Sequence, residues 1–401
     1  MSLYSNSFMS NNIIILKKGK EVSLLRKHPW VFSGAILNIP KNLKDGDIAE
    51  IHTFDHKYVA TGHYQSGGSI SVRILSFEND IIDQTFWNQK IENAIVYRSR
   101  INLPNAITNT YRLIHGEGDG LPGLIVDIYY NIAVIQCHSI GMYKDAQNIS
   151  IAIRLGLPDL DTIYLRSKDT LPDHFANHIE DRFIVGNADE TEVLENNVKF
   201  KINVLTGQKT GFFLDQRENR LLVGKYSKGR SVLNCFCYTG GFSLLALQGE
   251  ATVVDSVDIS QKAIDLMDEN INLNTFGGTH QSICDNVMQF LNDTELPSYD
   301  IVIVDPPAFA KSLHKRHNAV QAYKRLNALA MKKVKNGGLL FTFSCSQVVG
   351  TQLFYDTIVA AGIESGKSVR VVQSLSQGPD HPIQLFHPEG HYLKGLMLYV
   401  E

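Results

Sequence analysis

The sequence predicts an α/β protein: a mainly parallel sheet with helices on both faces, preceded by a small β-rich module and a small α+β module. Three observations carry this prediction. From about residue 191 to the end, apolar strand-like runs alternate with helical stretches, the rhythm of βαβ units. Before about residue 76 the apolar runs are short and turns separate them. Between the two, one long helical period is followed by a glycine-rich turn and a hairpin. The expected domains are therefore residues 1–76, 77–190 and 191–401.

In the first block the strand-like runs are "NIIIL", "DIAEIHTF", "YVATGHY" and "ISVRIL", punctuated by Asp45-Gly46 and Gly67-Gly68. "IIDQTFWNQKIENAIVYRSRI" follows with apolar residues at helical spacing. "LIHGEGDGLPGLIVDIYYNIAVIQCH" reads as the turn and hairpin of the second block. In the third block "SVLNCF", "ATVVDSVDI", "HQSICD", "YDIVIVD" and "GLLFTFS" read as strands. "GGFSLLALQG", "SQKAIDLMDENINLN" and "VQAYKRLNALAMKKVKNGG" read as the helices between them.

Composition narrows the class. The chain has 401 residues, 44% hydrophobic and 20% charged, with net charge -3, as an ordinary globular protein has and a polycation does not. Residues 1–76 differ, with nine Lys and Arg against five Asp and Glu. That surplus fits a nucleic-acid partner and equally fits a basic solvated face. Five cysteines, an odd number in a long chain, imply reduced thiols and a cytoplasmic location rather than a disulfide framework. The start "MSLYSNSFMSNN" lacks the pattern of a signal peptide, and no apolar run approaches a membrane span. Fourteen histidines without paired ligand spacing give no expectation of a metal.

In a parallel sheet, ligands bind beyond the carboxyl ends of the strands. There "NCFCYTGGFS" places Thr239, Gly240 and Gly241 in a tight turn before a helix, where glycine lets a ligand approach the backbone. The next strand ends in Asp258-Ile259, whose carboxylate can accept both hydroxyls of a ribose. The third ends in Asp285-Asn286, an acceptor for an adenine amino group. For each polar residue the alternative is a helix N-cap. The glycines do not spell G-x-G-x-x-G, which argues against a dinucleotide.

"LNCFCYTGGFSLLAL", "VDIS", "DPPAFAKS" and "FSCS", in that order, resemble the large-subunit ribosomal RNA methyltransferase I family, whose members are class I S-adenosylmethionine (SAM) enzymes forming 5-methylcytosine. "LKKGKEVSLLRKHPWVFSGAI" resembles that family's N-terminal PUA domain, "HGEGDGLPGLIVD" its central domain, and "TGQKTGFFLDQRENR" the segment before the first cofactor strand. The resemblance implies a Rossmann-like class I methyltransferase domain behind a PUA-like domain. It implies that Phe236, Thr239, Gly240 and Gly241 line the methionine end of SAM, that Asp258 binds the ribose and Asp285 the adenine, and that Lys209, Phe213 and Gln216 close over the cofactor. Its expected partner is RNA, large-subunit ribosomal RNA above all, with no membrane; a homodimer is compatible with it.

"IVIVDPPAFAKS" ends a buried strand abruptly on Asp305-Pro306-Pro307. A carboxylate there can accept from a base amine, Phe309 can stack on a ring, and Lys311 can meet RNA. Methylation of an amine could use that arrangement alone. Methylation of carbon 5 of a pyrimidine needs a nucleophile added at carbon 6 first, and Cys345, at the end of the next strand in "FTFSCS", is the candidate thiolate. A buried core cysteine is the alternative. Arg26 and Lys27 in the basic first block are candidates for RNA phosphates. Two rival functions stand beside the cytosine reading: methylation of a guanine nitrogen without a nucleophile, and a non-catalytic RNA-binding assembly factor.

Overall fold

The computed structural model describes residues 12–310 and 312–401; the first eleven residues and Lys311, a candidate RNA contact, lie outside the described residues. The chain forms two compact units, and both are discontinuous. Of the described residues, the first comprises 12–191, 202–212 and 379–390, and the second 192–201, 213–378 and 391–401.

The first unit holds two sheets. Strands β1 (Ile13–Leu16), β2 (Trp30–Phe32), β3 (Ile36–Asn38), β4 (Ile48–His52), β5 (Tyr58–Tyr64) and β6 (Ile70–Ser76) run in the order β2-β6-β5-β4-β1-β3, mostly antiparallel. A one-turn helix α1 (Val22–Leu25) leads into β2. Ile14, Leu16, Ile51 and Val72 bury the inner face of this sheet. Helix α2 (Gln84–Arg100) starts at Asp83, whose side chain caps the Phe86 amide. The second sheet has the order β11-β10-β9-β8-β7, built from β7 (Thr110–His115), β8 (Leu124–Tyr129), β9 (Ile132–Cys137), β10 (Thr162–Leu165) and β11 (Arg182–Val185). Helices α3 (Ile140–Lys144), α4 (Ala146–Gly156) and α5 (Asp173–Ala176) connect them. Trp87 and Ile91 of α2 and Ile149 and Ile153 of α4 share one core with Leu113, Val126 and Ile135 of the sheet.

A hairpin, β12 (Glu190–Glu195) and β13 (Val198–Asn203), leads into the second unit. There α6 (Arg217–Tyr226) precedes a seven-stranded sheet of order β16-β15-β14-β17-β18-β20-β19. Its strands are β14 (Ser231–Cys235), β15 (Val253–Asp258), β16 (Thr279–Cys284), β17 (Tyr299–Val304), β18 (Val334–Ser344), β19 (Val369–Leu375) and β20 (Lys394–Val400). The first five pair in parallel, and β20 runs antiparallel to both β18 and β19. Helices α7 (Gly241–Gln248), α8 (Gln261–Asn272), α9 (Val287–Asn292), α10 (Arg316–Lys332) and α11 (Thr351–Ser365) join them. Burial on both faces explains the unbroken apolar run of β17. Ile301 and Ile303 enter the core with Phe242 of α7, while Val302 and Val304 enter the opposite core with Leu326 of α10 and Phe354 of α11. Among the described residues no helix is long and apolar enough to cross a membrane.

Candidate active site

Three strand ends of the second unit converge because β14, β15, β16 and β17 are consecutive neighbours and parallel. Beyond β14 the chain turns through three left-handed residues, Phe236 (φ 60°), Tyr238 (φ 48°) and Gly240 (φ 84°), before α7 begins at Gly241. Such a conformation is costly for an aromatic residue and persists only where the surroundings enforce it. Asp258 enforces it here: one carboxylate oxygen accepts the Tyr238 amide at 3.0 Å, and the other accepts the Ser260 amide at 2.9 Å. Gly240 is required as well, since a Cβ there would stand 2.5 Å from Met267 Cγ.

The residues present fit SAM. Gly240 offers no side-chain cap, so the first amides of α7 remain open to a ligand. The buried hydroxyl of Thr239 has no partner in this turn. The Asp258 carboxylate retains acceptor capacity beyond its two amide bonds. Asp285, at the end of β16, is exposed, and its carboxylate accepts the Asn286 amide at 2.6 Å. Asn286 is an N-cap: its Oδ1 accepts the Met288 amide at 2.9 Å and the Gln289 amide at 3.2 Å. Ile259 is 71% exposed beside Asp258. The Phe213 ring meets that of Tyr238 edge to face, centroids 5.3 Å apart. Lys209 belongs to the first unit, exposed and left-handed (φ 52°) in the turn between Gln208 and Gly211.

A second cluster forms one strand further along. Val304 of β17 lies in register with Thr342 of β18, so Asp305 and Cys345 follow the ends of adjacent parallel strands. Their loops are tied together, because Ser346 Oγ donates to the Ala310 carbonyl at 2.8 Å. Pro306 is buried and Pro307 exposed, so the first proline anchors the strand tip. Asp305 Oδ2 accepts from Gln216 Nε2 at 3.0 Å, and Gln216 Oε1 in turn accepts from Asn219 Nδ2 at 2.6 Å. Gln216 is 3% exposed and is thus engaged with the carboxylate of the second cluster. Phe309 is half-buried, its ring 4.6 Å from that of Tyr323. Cys345 is in no disulfide and is partly exposed. Cys235 and Cys237 are buried, and burial pushes both thiols up, which suits packing and not catalysis.

Three contacts escaped the sequence. Arg220 of α6 makes a buried two-pronged pair with Glu195 of β12, at 2.7 and 2.6 Å. Under α7, Asn234, Ser243, Ser256 and His280 form a polar chain with steps of 2.8, 2.6 and 2.9 Å. Lys394 Nζ donates to the Ser346 carbonyl at 2.7 Å. Each joins elements far apart in sequence, and no local spacing signals them. In the first unit, Arg26 and Lys27 are exposed beside α1, and Lys27 Nζ lies 4.7 Å from the Phe77 ring centre.

A parallel sheet with a strained glycine turn, an acidic end on the second strand and no dinucleotide fingerprint defines a SAM-dependent methyltransferase of class I fold. The family described as S-adenosylmethionine-dependent methyltransferase matches residues 169–391, and a PUA-like domain matches residues 14–77. The chain belongs to the ribosomal RNA large subunit methyltransferase I family. It is 37% identical to the protein of that name from Pseudoalteromonas atlantica, over 96% of this chain and 99% of the relative. It is 38% identical to that from Aeromonas hydrophila, over 96% and 98%. A solved structure from Streptococcus mutans described as a SAM-dependent methyltransferase shares the fold at TM-score 0.82 and 20% identity, over 97% of this chain and all of that one. Another methyltransferase structure, complexed with SAH, does so at TM-score 0.83 and 20% identity, with the same coverage.

Proposed function

We propose that this enzyme methylates carbon 5 of a cytosine in large-subunit ribosomal RNA through a cysteine adduct. One observation carries the reading: Asp305 and Cys345 follow neighbouring parallel strands, and Ser346 ties the two loops together. The name shared by the relatives supplies the RNA class. In this reading Phe236, Thr239, Gly240 and Gly241 hold the methionine end of SAM, Asp258 the ribose and Asp285 the adenine, with Phe213 covering the turn. Ile259 flanks the ribose. SAM supplies the methyl group.

The chain's own residues then do the following. Asp305 and Phe309 hold a cytosine taken out of its stack, which costs a few kcal/mol and least in single-stranded RNA. The Pro306-Pro307 tip and the Gln216 amide keep the Asp305 carboxylate aimed at the ring. Cys345 adds to carbon 6 as the thiolate, which makes carbon 5 nucleophilic. Asp305, protonated as the base binds, passes that proton to the ring nitrogen as the thiolate adds, which neutralises the negative charge displaced into the ring, and takes it back when Cys345 leaves. After methylation, loss of the carbon 5 proton to water restores the ring and releases Cys345. Arg26 and Lys27 bind RNA phosphates, as does Lys311.

Covalent trapping tests this. A fluorine at carbon 5 cannot leave as a proton does, so RNA with 5-fluorocytosine at the target should leave a denaturation-resistant protein–RNA species. Cys345→Ala should form none and should lose methylation. Methylation at a comparable rate by Cys345→Ala would overturn the thiolate mechanism and favour transfer to a base nitrogen.

A further inference from the structure

Lys394 opens β20, and its antiparallel partner in β18 is Ser344. Its side chain is buried, 4% exposed, and runs past the end of β18 until Nζ reaches the Ser346 carbonyl at 2.7 Å. Cys345 is the residue between those two anchor points. A lysine is almost never this buried unless something balances it. A carbonyl satisfies one donor but carries no countercharge. Cys345 is the acidic group whose electrostatic influence reaches the ammonium.

We propose that Lys394 is a positioning residue for the nucleophile, its buried ammonium holding Cys345 as the thiolate before RNA arrives. The inference rests on the reading of Cys345 as the nucleophile. On ionisation the thiol proton leaves to solvent, while Lys394 keeps its own. Other titratable groups surround the pair. Asp305 from the end of β17 and Tyr323 from α10 lie on the thiol side, and Tyr323 feels both Cys345 and Asp305. Tyr355 and His391 line, with Lys394, a cavity of about 290 Å³ on the other side. The Asp305 carboxylate opposes ionisation of Cys345, and its bond to Gln216 draws part of that charge away. Burial pulls Lys394 down and the nearby Cys345 partly offsets it, leaving it lowered to about 8, so the ammonium persists at neutral pH.

The test is the pH dependence of alkylation in the wild-type protein without RNA. Iodoacetamide labelling of each cysteine is followed by peptide mass spectrometry. Cys284, the exposed thiol, is the internal reference. The labelling midpoint of Cys345 should lie about one pH unit or more below that of Cys284, the size of shift an adjacent cation produces. Lys394→Met should raise the Cys345 midpoint by a similar amount, and Lys394→Arg should restore it. A wild-type midpoint at or above that of Cys284 overturns the proposal, as does an unshifted midpoint in a folded Lys394→Met protein. If Lys394→Met does not fold, the wild-type comparison and Lys394→Arg decide. A low midpoint without fluorocytosine trapping overturns the cytosine reading and leaves the ion pair standing; a high midpoint with trapping intact overturns the ion pair alone.

Discussion

Asp258 serves two backbone amides and, in the proposed complex, two ribose hydroxyls. That makes it the sharpest probe of the cofactor site at the level of a single residue. Asp258→Ala should weaken SAM binding by about 3 kcal/mol, because two hydrogen bonds to a charged acceptor are lost. Asp258→Asn keeps one acceptor oxygen and should lose less. Calorimetry decides, and unchanged affinity in folded Asp258→Ala removes Asp258 from the site. The positions of Asp258, Asp305 and Cys345 at or just beyond strand ends were legible because strand ends can be counted off the apolar runs. The family resemblance places Gln216 with the cofactor. Its side chain meets Asp305, 89 residues away, and a contact of that separation has no local sequence signal. Asn286 shows the opposite case: a polar residue after a strand reads as ligand or cap, and its oxygen caps α9.

The βαβ elements of the methyltransferase sheet were legible because their periods differ: a short apolar run for each doubly buried strand, then three- and four-residue spacing for each helix. The antiparallel edge was not. "KGLMLYV" in β20 is a short apolar run that fits a strand or a buried helix, and its reversed direction follows only from the sheet it joins. Nor was the clamp between α6 and β12. The Arg220–Glu195 pair is buried, with Glu195 at 0% exposure, and α6 leads directly from Gln216. Removing one partner leaves an uncompensated buried charge, a loss of about 3–5 kcal/mol. Arg220→Met should therefore lower the urea midpoint markedly. The double variant Arg220→Met/Glu195→Leu should regain much of the loss, because no carboxylate is then stranded. An Arg220→Met protein as stable as wild type would show that Glu195 finds water or another cation.

For the molecule as a whole, the alternation of segments 192–201, 202–212 and 379–390 between the two units was not legible. Those segments join their units through tertiary pairs that local spacing does not encode. Arg98 illustrates this: it pairs with Asp119 and also donates to the Asp380 carbonyl at 2.8 Å, 282 residues away. The basic surplus of the first 76 residues predicts a whole-molecule property, the salt dependence of RNA binding. Replacing Arg26 and Lys27 with Ala should reduce the slope of log affinity against log salt by about 0.7 per lost phosphate contact on single-stranded RNA. An unchanged slope in filter binding would place the RNA elsewhere.

The same unit carries a built-in acid sensitivity. Arg112 grips Asp127 with two bonds, at 2.8 and 2.9 Å, and presents its remaining nitrogen to His115 Nδ1 at 3.1 Å. Burial first, and the Arg112 charge second, hold the His115 imidazole far below its ordinary value, so it stays neutral in the folded protein. The unfolded chain takes up that proton near pH 6.5. Above this pH both states are neutral and His115 adds no pH dependence; below it the unfolded state binds more protons and stability falls. The slope is about 1.4 kcal/mol per pH unit for this one histidine. His115→Gln keeps an acceptor for Arg112 but cannot titrate. Urea unfolding at pH 6.5 and 5.5 should show the wild type losing about 1 kcal/mol more than His115→Gln, because the unfolded histidine is already half protonated at pH 6.5. Equal losses in the two proteins would mean that His115 is protonated in the fold and that Arg112 is turned away from it.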